Sequence, residues 1–231
     1  MELIDRGLSW LWRVAIMVGL IIGVLAPPML LRLINQLATH TGTLGWQIAI
    51  MVAYFGVFIL LILAADAVKR HYTGIYESEP LTKRDWGAVL LGYLVIVGLE
   101  SGFQALNHFL YGQTQTQNNA AIKQLMTGSP FALWMMAFSA VLLTPIVEEL
   151  VFRGVLMNLF FNQGWLKVTV SGVLFGSLHS SSTWPSFLIY VTMGLILATV
   201  YLRVGKIKAA IALHFIINAL AMGILIGQIF V

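Results

Sequence analysis

Long apolar segments recur along the whole chain and restrict its fold more than any other feature. About 20 apolar residues cross the roughly 30 Å hydrocarbon core of a bilayer as a helix, which satisfies its own backbone hydrogen bonds there. Hydrophobic residues make up 59% of the 231 positions and charged residues only 10%, whereas about 25% are charged in an average soluble domain. The sequence therefore predicts an all-α, polytopic transmembrane helix bundle of about seven to eight spans. The seven most evident spans are 10–33, 45–67, 87–110, 131–160, 165–180, 184–203 and 207–230.

The basic residues predict how this bundle is oriented. Short cytoplasmic loops are enriched in Lys and Arg. When the predicted spans are counted from the N-terminus, one side receives Arg6, Arg13, Lys69, Arg70, Lys83, Arg84, Lys167, Arg203, Lys206 and Lys208. The opposite side has only Arg32 and Lys123 near its loops. We expect a multi-pass cell-membrane protein with a cytoplasmic N-terminus and membrane lipids as partners. Because the net charge of +4 is spread over these loops, no nucleic-acid partner is expected.

The absence of cysteine limits the available chemistry. With no Cys in the chain, disulfides, thiol nucleophiles and CxxC metal sites are excluded. Catalysis would have to use histidines, carboxylates or hydroxyl groups.

The segment TPIVEELVFRG, residues 144–154, places three charges inside an otherwise apolar span. Charged groups at membrane depth are costly and usually face a bundle interior or a wet cavity. Glu149 and Arg153 are four residues apart, in the favourable order for an ion pair on one helix face. Glu148 is rotated by about 100° from Glu149, so it is the carboxylate left over. Pro145 removes a backbone hydrogen bond and favours a bend with room for water beside Glu148. The alternative is an ionic cluster that only fixes helix packing.

Two histidines lie in later predicted spans. His179 ends the sequence FGSLH, and His214 begins HFIIN with Asn218 one helical turn later. A lone histidine in a helix is more often a packing residue than a base or a ligand. Taken with the two glutamates and the arginine, however, the set suits activation of water and binding of developing negative charge.

These residues form three short motifs: EExxxR from Glu148, Glu149 and Arg153, FxxxH from Phe175 and His179, and HxxxN from His214 and Asn218. Their order and spacing resemble the CPBP intramembrane proteases, the CAAX proteases and bacteriocin-processing enzymes also called the Abi family. The eukaryotic relative is the type II CAAX prenyl endopeptidase. The resemblance begins at about Phe131, so we expect N-terminal transmembrane spans over 1–130 and a catalytic CPBP core over 131–231, within one integrated membrane domain.

The resemblance implies an intramembrane endopeptidase that acts on membrane-associated peptides or proteins. It implies that Glu148 activates water with help from His179, and that Glu149 and Arg153 hold the charge geometry. His214 and Asn218 would form the oxyanion hole, and Phe175 would pack beneath the site. The size of the chain is similar to that of bacterial members.

Two other functions remain open at this point. One is a non-catalytic CPBP-fold scaffold or bacteriocin self-immunity protein. The other is a proton-coupled transporter that uses the buried glutamate and histidine as a relay. The sequence identifies neither the host nor the substrate.

A metal site is a further possibility. Glu148, His179 and His214 could supply the His₂Glu ligand set of a catalytic zinc. No HExxH motif presets such a pair on one helix, and the oxyanion role of His214 would compete with metal binding. The preferred mechanism therefore requires no cofactor, with zinc as the alternative.

Two further polar segments were considered. Glu100, Gln104 and His108 form a stripe on one helix face, either as an interhelical network or as the lining of a path to the site. The polar segment 111–124 is predicted to be a flexible connection without chemistry of its own.

Overall fold

The structure is a computed structural model that describes residues 2–76 and 79–230, with side chains from residue 9 onward. Within this part the chain forms eight helices and no strands, which confirms the all-α bundle. The helices are α1 Glu2–Ala38, α2 Leu44–Thr73, α3 Lys83–Tyr111, α4 Gln117–Met126, α5 Pro130–Leu159, α6 Gly164–Ser177, α7 Trp184–Val204 and α8 Ile207–Phe230.

Six of the helices in the described part are long and apolar enough to cross a membrane, namely α1, α2, α3, α5, α7 and α8. The predicted span 165–180 corresponds to α6, which has only 14 residues and is therefore about 21 Å long. Helix α6 ends early because the chain turns at Leu178 and His179, whose amides donate to the carbonyl oxygens of Phe175 and Gly176. The protein is thus a multi-pass membrane protein in which one predicted crossing is a short helix.

Glycines set the tight antiparallel packing of α6 against α7. A Cβ on Gly176 would lie 2.8 Å from the backbone nitrogen of Val191, and one on Gly194 would lie 2.9 Å from the Cα of Gly172. Only glycine permits backbones to approach this closely. Gly172 and Gly176, which form a GxxxG pair in the sequence, therefore permit the close packing of α6 on α7.

Basic side chains gather at one end of the bundle. Arg13 at the start of α1 donates to the carbonyl oxygen of Leu159 at the end of α5, over 2.7 Å. Lys206, between α7 and α8, pairs with Asp85 at the start of α3 over 3.0 Å. Arg6 lies outside the described side chains. Arg13 and Lys206 thus each bond to a residue at a helix end, and the orientation inferred from the charge bias stays a prediction.

The polar segment 111–124 contains the start of α4, so the prediction of a flexible connection is wrong for residues 117–124. Thr116 caps this helix by accepting a hydrogen bond from the Asn119 amide, a common stabilising N-cap. Helix α4 packs against α5 and α1, which places its Asn118 and Asn119 side chains against the interior.

Candidate functional site

Helix α5 is wound irregularly around the two central glutamates. Segments Ser139–Leu143 and Leu150–Leu156 have π-helical hydrogen bonding, and the α-helical turn Thr144–Glu149 lies between them. Insertions of this kind are rare and frequently found at functional sites. The first π segment ends two residues before Pro145, so α5 is irregularly wound where the sequence predicts a bend, and the bend itself stays a prediction.

Pro145 also explains a contact from a distant helix. In the π register the Thr144 amide donates to the Ser139 carbonyl, so the Ala140 carbonyl would need the amide hydrogen of residue 145. Proline has none. The Nδ2 of Asn218 on α8 donates to the Ala140 carbonyl oxygen over 2.8 Å instead. Asn218 is thus fixed by the irregularity that Pro145 creates.

Glu149 is the centre of a buried ionic cluster. Its Oε1 atom accepts from Arg153 Nη1 at 2.9 Å and from His214 Nδ1 at 2.9 Å. Arg153 Nη2 donates to the Gly194 carbonyl oxygen on α7. Glu149 and Arg153 are both 0% exposed, so this cluster ties α5, α7 and α8 together away from solvent. The predicted ion pair is present, and His214 is an additional partner.

Glu148 has a different environment, although it is the adjacent residue. It is buried, and its Oε2 atom makes no hydrogen bond among the described residues. The nearest cationic candidate is His214, whose Nε2 lies 3.8 Å from that oxygen. Because a carboxylate is an acceptor only, the Nδ1 of His214 carries the hydrogen that binds Glu149. The other ring nitrogen therefore faces Glu148.

His179 is held in place by a backbone group and two aromatic rings. Its Nδ1 donates to the Phe175 carbonyl oxygen at 2.7 Å, which leaves Nε2 as the free ring nitrogen. The ring stacks on Tyr190 with centroids 4.5 Å apart and planes 12° apart. It also contacts the Phe175 ring, with the two ring centroids 4.5 Å apart. Phe175 also lies 4.8 Å from the Arg153 guanidinium carbon. The predicted packing role of Phe175 beneath the site agrees with these contacts.

A cavity of about 240 Å³ joins these groups. Glu148, His179, His214 and Asn218 all line it. Helices α1 to α4 supply further lining residues, which include Pro27, Pro28, Tyr54, Glu100, Asn118 and Asn119. The structure therefore brings four of the six predicted site residues to one cavity, with Glu149 and Arg153 supporting them from the buried side.

Several residues around this cavity were missed by sequence reasoning. Tyr190 is an aromatic residue in an apolar span, and nothing in its local pattern distinguishes it from lipid-facing tyrosines. Its hydroxyl bonds to the Thr116 hydroxyl at 2.7 Å, which links His179 to the cap of α4. Glu100 was noted as part of a stripe, and only this residue of the stripe lines the cavity.

The candidate zinc ligands do not converge. Within the described residues, no three His, Asp or Glu side chains lie close enough together to hold a metal ion. His214 contacts both glutamates, but His179 belongs to a separate stack with Phe175 and Tyr190. No step below is assigned to a metal.

The fold and the site define a class: a polytopic helical membrane protein with a buried carboxylate–histidine centre that opens onto an internal cavity. A family model described as type II CAAX prenyl endopeptidase Rce1-like matches residues 130–220. The chain is 30% identical over 160 residues to the UPF0177 protein YbdI of Lactococcus lactis subsp. lactis (strain IL1403), an alignment that covers 68% of this chain and 84% of the relative. It is 31% identical over 160 residues to UPF0177 protein YajF of the same organism, covering 68% and 75% of the two chains. No solved structure matches. The chain belongs to the CPBP family.

Proposed function

We propose that this protein is an intramembrane endopeptidase that hydrolyses peptide bonds of membrane-associated peptides or proteins. One observation carries the proposal: the Glu148 carboxylate is buried beside His214 at the wall of a cavity, and its Oε2 atom accepts no hydrogen bond from any residue that the structure describes. A buried polar atom without a partner is costly, so a site that keeps one has a use for it. Accepting a proton from a substrate water is such a use.

Glu148 and His179 form the water-activating side of the site. The free oxygen of Glu148 accepts a proton from the attacking water, and the free Nε2 of His179 assists from the same cavity. Stacking on Tyr190 and the bond to the Phe175 carbonyl fix the ring, so its free nitrogen has a defined direction. The proton is then available to the leaving amine.

His214 and Asn218 form the oxyanion-binding side. The bond from His214 Nδ1 to Glu149 means that Nε2 can donate only when the ring is protonated, and the Glu149 carboxylate stabilises that imidazolium. Asn218 uses one amide hydrogen for Ala140 and keeps the other for the substrate. Fixed donors of this kind stabilise the charge that develops in the transition state.

Arg153 and Glu149 act by holding the geometry. Neither lines the cavity, and both are fully buried in mutual contact. Their role is to orient His214 and to offset the negative charge of the adjacent carboxylates. They are positioning residues.

The test compares newly formed peptide termini in cells that carry the wild type or the Glu148→Gln variant at equal expression. This substitution preserves shape and removes the base. Termini that depend on Glu148 support proteolysis and identify the substrate. Equal termini, with an immunity or regulatory phenotype retained in the variant, would contradict the proposal and favour the scaffold function. The matched control is Asp66→Asn, which changes a half-buried carboxylate paired with Arg70 outside the cavity lining.

The orientation is part of this proposal. We infer a cytoplasmic N-terminus, and the relatives from Lactococcus support a bacterial host. The chain has no cysteine, so single Cys substitutions in the loops can be labelled from either side. Labelling of a Cys next to Lys206 only from outside intact cells would contradict the orientation.

A further inference from the structure

The α3 wall of the cavity carries a carboxylate that the proposed mechanism does not use. Glu100 is half-buried and lines the cavity beside Asn118 and Asn119 of α4. Within the described part of the chain, its carboxylate has no hydrogen-bond or ion-pair partner. One prediction for the stripe of Glu100, Gln104 and His108 is an interhelical hydrogen-bond network. Among the described residues, Gln104 is the one member of the stripe whose side chain forms a hydrogen bond, which it donates to the Gln113 carbonyl oxygen.

The cavity as a whole has an acidic lining. Its Asp, Glu, His, Lys and Arg members are the carboxylates Glu100 and Glu148 and the imidazoles His179 and His214. No lysine or arginine is among the described lining residues, because Arg153 is engaged behind the wall with Glu149 and Gly194. A carboxylate in such surroundings is costly unless a cation pairs with it. The protein itself supplies no such cation for Glu100.

We propose that Glu100 determines specificity by binding a positively charged group of the peptide substrate. The shared chemistry is an ammonium or guanidinium group, supplied either by a Lys or Arg side chain or by a free α-amino terminus. Asn118 and Asn119 of α4, which line the same cavity, offer neutral donors and acceptors to the backbone of the same peptide. This inference rests on the proposed function for the bond that is cut, whereas binding itself requires no hydrolysis.

Binding is measured first, in the catalytically silent Glu148→Gln protein reconstituted in nanodiscs. The probe is a fluorescent apolar 12-residue peptide whose central residue is Lys, norleucine or Glu, with the N-terminus either free or acetylated. We expect the Lys or the free-amine form to bind at least about tenfold more tightly than its neutral counterpart, as for a desolvated charge pair. Loss of the preference when norleucine replaces Lys identifies the side chain as the source of the cation. Loss of the preference on acetylation identifies the α-amino group.

The second variant adds Glu100→Gln to this background. We expect the ratio of the two dissociation constants to fall to about 1, and Glu100→Lys to shift the preference toward the Glu peptide. Asp66→Asn is the matched control and keeps the ratio of the parent protein. Equal binding of charged and neutral peptides to the parent, no binding of any peptide, or a preference that survives Glu100→Gln would each overturn the inference.

Hydrolysis of the same peptides by the wild type separates the two proposals. A Glu100-dependent preference in binding without any Glu148-dependent cleavage supports the cation site and contradicts the endopeptidase. Glu148-dependent cleavage without a preference for the charged peptide supports the endopeptidase and contradicts the cation site.

Discussion

Glu148 and Glu149 are neighbours in the sequence and lie in very different environments. The carboxylate of Glu149 has two strong donors, from Arg153 and His214, and no exposure. Glu148 faces a cavity, with one oxygen unbonded. One helix thus presents Glu149 to its protein neighbours and the preceding residue, Glu148, to the cavity. The comparison teaches that a paired buried charge fixes a site, whereas an unpaired one is available for chemistry.

The strongest test of this difference is Glu148→Gln. If Glu148 is the base, we expect the cleavage rate to fall by about 10² to 10⁴, the usual contribution of general base catalysis. The thermal unfolding midpoint should stay unchanged, since Gln retains the shape and the oxygen has no partner to lose. Rates are measured with the substrate identified from cellular termini. A rate within twofold of the wild type would remove Glu148 from the mechanism.

Glu149→Gln should differ from Glu148→Gln by lowering the stability of the protein. Removing one member of a buried ion pair costs about 3–5 kcal/mol, because the remaining charge is left without a partner. We expect a lower unfolding midpoint in detergent along with lost activity. The contrast between the two glutamates would fail if this variant were as stable as Glu148→Gln.

Asn218→Ala tests the oxyanion side. We expect a fall of about 10² to 10³ in turnover, as for the loss of one oxyanion donor. Asn158→Ala is the matched control, since Asn158 donates to the carbonyls of Arg153 and Gly154 at the second π segment of α5. It lies outside the cavity lining, so turnover should change little there. Equal losses in both variants would indicate that Asn218 only supports the helix.

Tyr190 gives a smaller effect. Tyr190→Leu removes the ring stacked on His179, and aromatic contacts contribute about 0.5–1.5 kcal/mol beyond burial. We expect turnover to fall roughly 2- to 10-fold by that amount, whereas Tyr190→Phe keeps the stack and most of the turnover. A loss in Tyr190→Phe as large as that in Tyr190→Leu would assign the effect to the hydroxyl bond with Thr116.

Chelation should have the smallest effect. Because the candidate ligands do not converge, we predict that activity survives dialysis against a strong chelator and that the purified protein contains substoichiometric zinc. Metal analysis by mass spectrometry checks this. Stoichiometric zinc that is lost in His214→Ala would establish a metal site instead.

Much of the fold could be predicted because it depends on local signals. Apolar length predicted the long helices, and the spacing of Glu149 and Arg153 predicted their ion pair. The short α6 was counted as a crossing because of its apolar composition, although its helix has only 14 residues and the polar residues 179–183 follow soon after Ser177. Local composition made segment 111–124 look flexible, although the Thr116 cap and tertiary packing order α4.

The site was predictable in its members and less so in its connections. Motif order selected Glu148, His179 and His214, but the bond between His214 and Glu149 depends on how α8 packs against α5. Stacking by Tyr190 and the position of Glu100 on the cavity have the same origin. The bond between His214 and Glu149 joins residues 65 positions apart, and no short sequence pattern encodes it.

The winding of α5 has a consequence for insertions and deletions. Each residue of an α-helix advances the chain around the axis by about 100°. The π segments Ser139–Leu143 and Leu150–Leu156 have more residues per turn, so each residue there advances by a smaller angle. A π segment can lose its extra residue and return to regular winding with nearly the same phase. A deletion of one residue in the α-helical turn Thr144–Glu149 would instead rotate the flanking parts of the helix by about 100° relative to each other. Glu148 would then leave the cavity and Glu149 would leave His214, with the hydrophobic length of the span almost unaltered. The turn that carries Glu148 and Glu149 therefore tolerates substitution far better than insertion or deletion of a residue.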